Sequence, residues 1–238
     1  MAKRRKRLKP KNSFYLLVAV FVLLILLGIA LAALNASFPY VPDSTIVNVK
    51  DPVSLDLGEG LVCTDVDSYT GLFMEDGTDE PVSDVMRLVV KNTSEKDLQY
   101  AEIRFVYGAE VREFSVSNLA SGASCILLEK SRQSMIEGNL DDYMAEHVVF
   151  FDEPMKLMED QFEITGQDGV INVKNISGRD VTKDVVVYYK YAVDDVYYGG
   201  ITFRVRVSGG MSAGEIRQIP AVHFDKESSV LTMVTCNE

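Results

Sequence analysis

Gly210-Met211-Ser212-Ala213-Gly214 has the G-x-S-x-G spacing of a nucleophile elbow. The chemistry it would supply is acyl transfer, from a serine lifted out of a strand-to-helix turn. Its surroundings argue against that. Pro220 follows closely, Glu215 to Ile219 reads as strand, and His223 comes before Asp225, the reverse of that fold's chain order. The chain has two histidines, His147 and His223, in different halves, so a histidine-based acid/base or metal site would need one from each. The acidic loops Asp65-Val66-Asp67 and Glu75-Asp76-Gly77-Thr78-Asp79-Glu80 offer the oxygens Ca²⁺ takes. Counted from Asp65, however, Thr70 stands where the EF-hand turn needs glycine, and Asp76 where it needs glutamate. Solvated hairpin loops are the plainer reading, and no cofactor or metal is expected. Cys63, Cys125 and Cys236 show neither C-x-x-C nor zinc spacing. Cys63 and Cys125 either pair within one domain or remain buried thiols, which leaves Cys236 over. The residue types point away from an enzyme.

Tyrosine is the other concentrated chemistry. Tyr188, Tyr189, Tyr191, Tyr197 and Tyr198 flank Asp194-Asp195, which reads as a hairpin turn. Strand alternation sends some of these rings outward, and exposed tyrosine is typical of contact surfaces. Tyr189, Tyr191, Tyr197 and Tyr198 are therefore the candidate partner-binding face, with cross-strand aromatic packing as the alternative. The chain has no Trp, which weakens a sugar-binding version.

The elements that would position these residues come as an internal repeat. Val90-Lys91-Asn92-Thr93-Ser94-Glu95-Lys96-Asp97-Leu98 recurs as Val173-Lys174-Asn175-Ile176-Ser177-Gly178-Arg179-Asp180-Val181. Strand-like runs of period 2 flank both copies. A glycine turn follows each, Leu119 to Gly122 and Met211 to Gly214, and the second copy carries nine extra residues before it. Asn and Ser favour tight turns by bonding their own backbone, so the motif predicts a hairpin. Asn92, Ser94, Asn175, Ser177, Gly122 and Gly214 are its structural residues. Asn35, Asn92 and Asn175 also match the glycosylation sequon, two of them because the repeat's turn contains it. About a hundred residues per unit, with short strands and frequent turns, fits a β-sandwich. Between the copies, Asn139 to Glu146 reads as a short capped helix with Leu140, Tyr143 and Met144 on one face.

The Val-x-Asn-x-Ser pattern, a following strand of valines and aromatics, and the turn Met211 to Glu215 resemble the FxLYD and CARDB-type Ig-like modules of bacterial surface proteins. Repeat 1 has Phe105-Val106-Tyr107, and repeat 2 Tyr188-Tyr189-Lys190, where that family has its Phe-x-Leu-Tyr-Asp string. The resemblance implies Ig-like sandwiches that bind or space without catalytic residues.

The N-terminus sets the address. Lys3, Arg4, Arg5, Lys6, Arg7, Lys9 and Lys11 precede Phe14 to Leu34, which holds no charge. As a helix that stretch would be about 31 Å long, enough for a hydrocarbon core of about 30 Å. The basic tail assigns the N-terminus to the cytoplasm and to anionic headgroups. A cleaved signal peptide is the competing reading, with small residues at Ala30 and Ala32. The chain carries −11 and its tail +7, so residues 35–238 carry −18, which repels nucleic acid.

The expectation is thus a mainly β protein: one N-terminal transmembrane helix followed by two tandem Ig-like antiparallel β-sandwiches. The segments are a tail (1–13), a membrane helix (14–34), a stalk (35–47), sandwich 1 (48–152, with a short helix near 139–146) and sandwich 2 (153–238). The expected role is a single-pass, membrane-anchored, extracytoplasmic binding or spacing protein without catalysis. Its partners are membrane lipids and another protein. The alternative is an accessory subunit of an envelope complex for secretion or division, in which Gly28, Ala32 and Ala33 form a small-residue helix face.

Overall fold

Alternation of apolar and polar side chains fixes most of the strands, and turn residues end them. The computed structural model describes residues 53–136 and 138–237, and among these every regular element is a strand. The first half runs β1 (Leu55–Gly58), β2 (Leu61–Phe73), β3 (Glu80–Asn92), β4 (Leu98–Tyr107), β5 (Glu110–Leu119), β6 (Ser124–Leu128) and β7 (Asp142–Phe150). The second runs β8 (Phe162–Gln167), β9 (Val170–Asn175), β10 (Asp184–Val193), β11 (Val196–Val207), β12 (Ile216–Pro220) and β13 (Ser229–Asn237). In β4, Ala101, Ile103 and Phe105 are fully buried while Glu102 and Arg104 between them reach solvent, as a strand with one covered face requires. β10 buries Val185, Val186 and Val187 in succession, which marks a strand covered on both faces.

The strands form a seven-stranded sheet, β1-β2-β3-β6-β11-β10-β13, and two three-stranded sheets, β12-β9-β8 and β5-β4-β7. The protein is mainly β, and the sheets fit a β-sandwich. Their order repeats. Trios β2-β3-β6 and β5-β4-β7 in the first half correspond to β8-β9-β12 and β11-β10-β13 in the second. The registers agree as well: Leu61 pairs with Asn92 where Phe162 pairs with Asn175. The two halves contribute opposite trios to the large sheet. They join through β6 and β11, which run parallel and pair Ser124 with Val196, Cys125 with Tyr197 and Ile126 with Tyr198.

Two hairpins depart from the repeat, and both lie at this join. Leu61 and Asn92 stand 31 positions apart, Phe162 and Asn175 only 13. The β2–β3 hairpin therefore has a long extension. Conversely, Leu98 and its partner Leu119 are 21 positions apart, Val181 and its partner Met211 are 30. The nine extra residues noted in the sequence lengthen the β10–β11 hairpin. Each half has its own apolar core, one around Leu88, Ile103 and Phe114, the other around Ile171, Val187 and Val205. A third cluster of Tyr69, Phe73, Met74, Val85, Leu128 and Tyr198 fills the meeting of the two extensions.

Two sequence expectations are corrected. The segment 139–146 is no helix; Asp142–Phe150 is strand β7, paired with β4. A bulge explains the misreading. His147 takes φ +51, and the register slips between the Glu102–Glu146 and Tyr100–Val149 pairs. Core-facing residues therefore switch from Tyr143 and Ala145 to Val148 and Phe150, and the period-2 signal is broken. The Lys-Asn-x-Ser motif is not a hairpin either. It carries the chain from one sheet to the other, since β3 and β4 lie in different sheets, as do β9 and β10. The tail, the apolar stretch Phe14 to Leu34 and the stalk lie outside the described residues. Among the described residues no helix is long and apolar enough to cross a membrane.

Candidate functional site

The repeated motif builds the same arch twice. Asn92 and Asn175 are both fully buried. The Asn92 carboxamide oxygen accepts from Ser94 N (3.0 Å) and Ser94 Oγ (2.7 Å), and Nδ2 donates to Lys96 O (2.9 Å) and Leu119 O (3.0 Å). The Asn175 oxygen accepts from Ser177 N (3.0 Å) and Ser177 Oγ (2.7 Å), and Nδ2 donates to Arg179 O (2.8 Å) and Met211 O (3.2 Å). Gly122 N donates to Asn92 O and Gly214 N to Asn175 O. Asp97 and Asp180 accept from Ser121 N and Ala213 N, at 2.8 and 2.9 Å. Each arch satisfies buried backbone groups where the chain leaves one sheet for another. Their burial also closes Asn92 and Asn175 to glycosylation in the folded chain.

The four tyrosines do not form a face. Tyr189 and Tyr198 are buried, at 2 and 5% exposure, and Tyr191 and Tyr197 are half-buried. Tyr189 belongs to the core of the second half and stacks on Phe203 (5.4 Å). Tyr197 packs on the core of the first half, and Tyr191 and Tyr198 on the cluster at the join. Tyr69 and Tyr198 meet edge to face at 5.7 Å, a geometry worth about 1 kcal/mol beyond the buried area. Burial pushes the Tyr189 hydroxyl up to about 12. These rings are shared between the halves because both faces of the β10–β11 hairpin are covered.

A charged cluster that the sequence reading missed lies at the same place. Opposite Lys190, β11 bulges: Tyr189 pairs with Phe203, but Tyr191 pairs with Tyr198. The fully buried Lys190 ammonium fills this bulge and donates to Gly199 O (3.1 Å), Gly200 O (3.0 Å) and Ile201 O (2.6 Å). From the extended hairpin of the first half, the Glu75 carboxylate accepts Gly200 N on both oxygens (2.9 and 2.8 Å) and Leu128 N (2.8 Å). Desolvation pushes Glu75 up and Lys190 down from their ordinary values. A Cβ on Gly200 would stand 1.8 Å from Ser115 O, so only glycine lets β11 approach β5 this closely. The adjacent glycines inside a strand were the available signal, since glycine there marks a bulge or a close approach.

The remaining candidates resolve individually. In the acidic loop 75–80, Arg132 binds Asp76 and Glu80, each at 2.7 Å, and His223 Nδ1 lies 3.1 Å from Asp79. In the other loop, Arg87 holds Asp65 at 2.9 Å and Asp67 at 3.5 Å. Among the described residues, no three His, Cys, Asp or Glu gather as a metal site. His147 contacts Glu102 (3.0 Å), which also accepts from Tyr100 (2.7 Å) and Lys130 (3.3 Å). The Tyr100 hydrogen bond, followed by those of His147 and Lys130, lowers the Glu102 carboxyl to about 2. Ser212 sits in a turn that leads into strand β12, so no strand-to-helix elbow is built there. Cys63 and Cys125 are buried free thiols. Both face Val90, from the strands on either side, a separation of about 9.6 Å that exceeds disulfide reach. Burial raises each to about 12.

An open cleft of ≈ 1190 Å³ lies between the halves, along the connecting segment 151–161. That segment is fixed at both ends and between: Phe151 N donates to Asp97 O, Met155 N to the Asp97 carboxylate (2.7 Å), Lys156 O accepts from Val234 N, and Gln161 O accepts from Ile176 N. No protein-family model, curated protein or solved structure matches the chain.

Proposed function

We propose that the chain is a single-pass, membrane-anchored extracytoplasmic protein. Its two tandem Ig-like sandwiches, 48–152 and 153–238, bind or space other proteins without catalysis. The observation that carries this reading is the arch built twice on the same bonds, at Asn92 and at Asn175, where Ser212 O adds one more acceptor. One sandwich plan, used twice and fused through one common sheet, suits presenting a rigid surface. The resemblance to FxLYD and CARDB-type modules supports the same class. The anchor rests on Phe14 to Leu34 and the basic residues before it, which place the N-terminus in the cytoplasm and 35–238 outside.

Labelling intact cells tests the display. Glu227 is solvent-exposed, so a Glu227→Cys chain expressed in a bacterium should react with a membrane-impermeant maleimide and remain in the membrane fraction after alkaline washing. Labelling only after permeabilisation, or release by the wash, would overturn the reading.

A further inference from the structure

The cleft between the halves has the composition of a recognition groove. Its volume of ≈ 1190 Å³ exceeds the roughly 300–1,000 Å³ of small-molecule pockets, and it is open to solvent. Half-buried Tyr100, Phe151, Leu157, Met158 and Tyr188 give it an apolar, aromatic lining. Exposed Glu153, Glu159 and Asp160 rim it; Glu153 pairs with Lys156, the single cation of the lining, at 3.8 Å, which leaves Glu159 and Asp160 as the acidic rim. Acidic groups beside tyrosine faces suit lysine or arginine, whose stems lie on the rings while their charges meet the carboxylates.

Asn118 is the second observation. It is 7% exposed and lines the cleft, and its side-chain amide bonds no described residue. The amide keeps access to the open cleft, and a peptide backbone offers it both a donor and an acceptor. The fold does not require asparagine there. Asn118 takes φ +49 just before Leu119, and the corresponding residue before Met211 is Gly210, at φ +73. Glycine would satisfy the backbone equally well. The bonds that fix segment 151–161 at both ends hold the cleft in shape before any ligand arrives, which lowers the cost of ordering it on binding.

We propose that this cleft docks a basic, extended polypeptide segment of a partner protein. Its cationic side chains meet Glu159 and Asp160, its apolar side chains lie on Tyr100 and Tyr188, and its backbone bonds the Asn118 amide. This names the partner chemistry of the binding-protein reading and rests on it.

The test uses the full-length chain in a non-ionic detergent. The probe is a short fluorescein-labelled peptide of alternating lysine and tyrosine, and the glutamate–tyrosine peptide is its control. Anisotropy should report saturable binding of the lysine peptide alone, and a photo-crosslinker on it should mark 151–161. Glu159→Lys with Asp160→Lys should weaken binding at least about tenfold. Asn118→Gly, which suits the backbone, should weaken it about fivefold, as for one lost hydrogen bond. Glu227→Lys, outside the cleft, should leave it unchanged. No binding, equal binding of both peptides, equal losses at Glu227 and at the rim, or crosslinks elsewhere would each overturn the proposal. The labelling of intact cells reads the display of the chain independently, so a failure of either is recognisable as its own.

Discussion

Lys190 and Glu75 never touch as an ion pair; they hold opposite sides of the same peptide groups at the β11 bulge. Removing one leaves the other's charge and the bulge carbonyls uncompensated in a buried place. Lys190→Met should cost about 3–5 kcal/mol, read as a shift in the urea midpoint. Adding Glu75→Gln should cost less than the sum of the two single changes, because they share partners. The arches depend on orientation. Asn175→Asp would aim an acceptor at Arg179 O and Met211 O, so about 3 kcal/mol or more should be lost in the same assay. Glu102 gives an acid limb. Its folded value is lowered from 4.5 to about 2, so its stabilisation is present above 4.5 and lost as pH falls toward 2. Glu102→Gln should flatten the urea midpoint over that window. The arch residues were legible in sequence because Asn and Ser bond their own backbone within a few positions. Glu75 and Lys190 were not, since their meeting depends on a bulge and on strands far apart in the chain.

Among elements, β4, β5 and β12 followed from alternation, whereas β7 did not, because the His147 bulge exchanges its faces midway. The arches were misread as hairpins for a different reason: local turn chemistry is the same whether the next strand pairs with the last or crosses to another sheet. The tyrosine hairpin was placed correctly around Asp194-Asp195, both at positive φ, as a tight two-residue turn requires. Its rings turned inward because a second sheet and an extended hairpin cover it, which no local pattern encodes. Gly200→Ala tests that closeness. With Ser115 O only 1.8 Å from the added carbon, β5 and β11 must part. Amide exchange at Tyr197 and Tyr198 should then accelerate, while exchange in β8 and β9 stays unchanged.

For the whole molecule, the shared seven-stranded sheet makes the halves unfold together. Calorimetry should show one transition for the native chain, and two after Lys190→Met loosens the join. The thiols report on the same event: Cys63 and Cys125 should react with a thiol reagent only as that transition is crossed. Division into two similar halves was visible in the sequence through the recurring motif. Their fusion was not, because the two insertions that meet at the join are unlike each other and far apart in the chain.

The order of the large sheet also gives the molecule a load path. Its first strand lies on one edge and its last on the other, about 29 Å apart at ordinary strand spacing. Tension between the two ends of the folded part crosses every strand of the sheet. The link between the halves is the β6–β11 seam, registered over Val196 to Tyr198 alone, as short as the β1–β2 pairing at the edge, whereas β10 and β11 run together from Val185 to Val193. Under pulling, that seam is the fuse between the halves. Each half keeps its own core when the seam parts, so their separation would lengthen a stretched molecule by one discrete step.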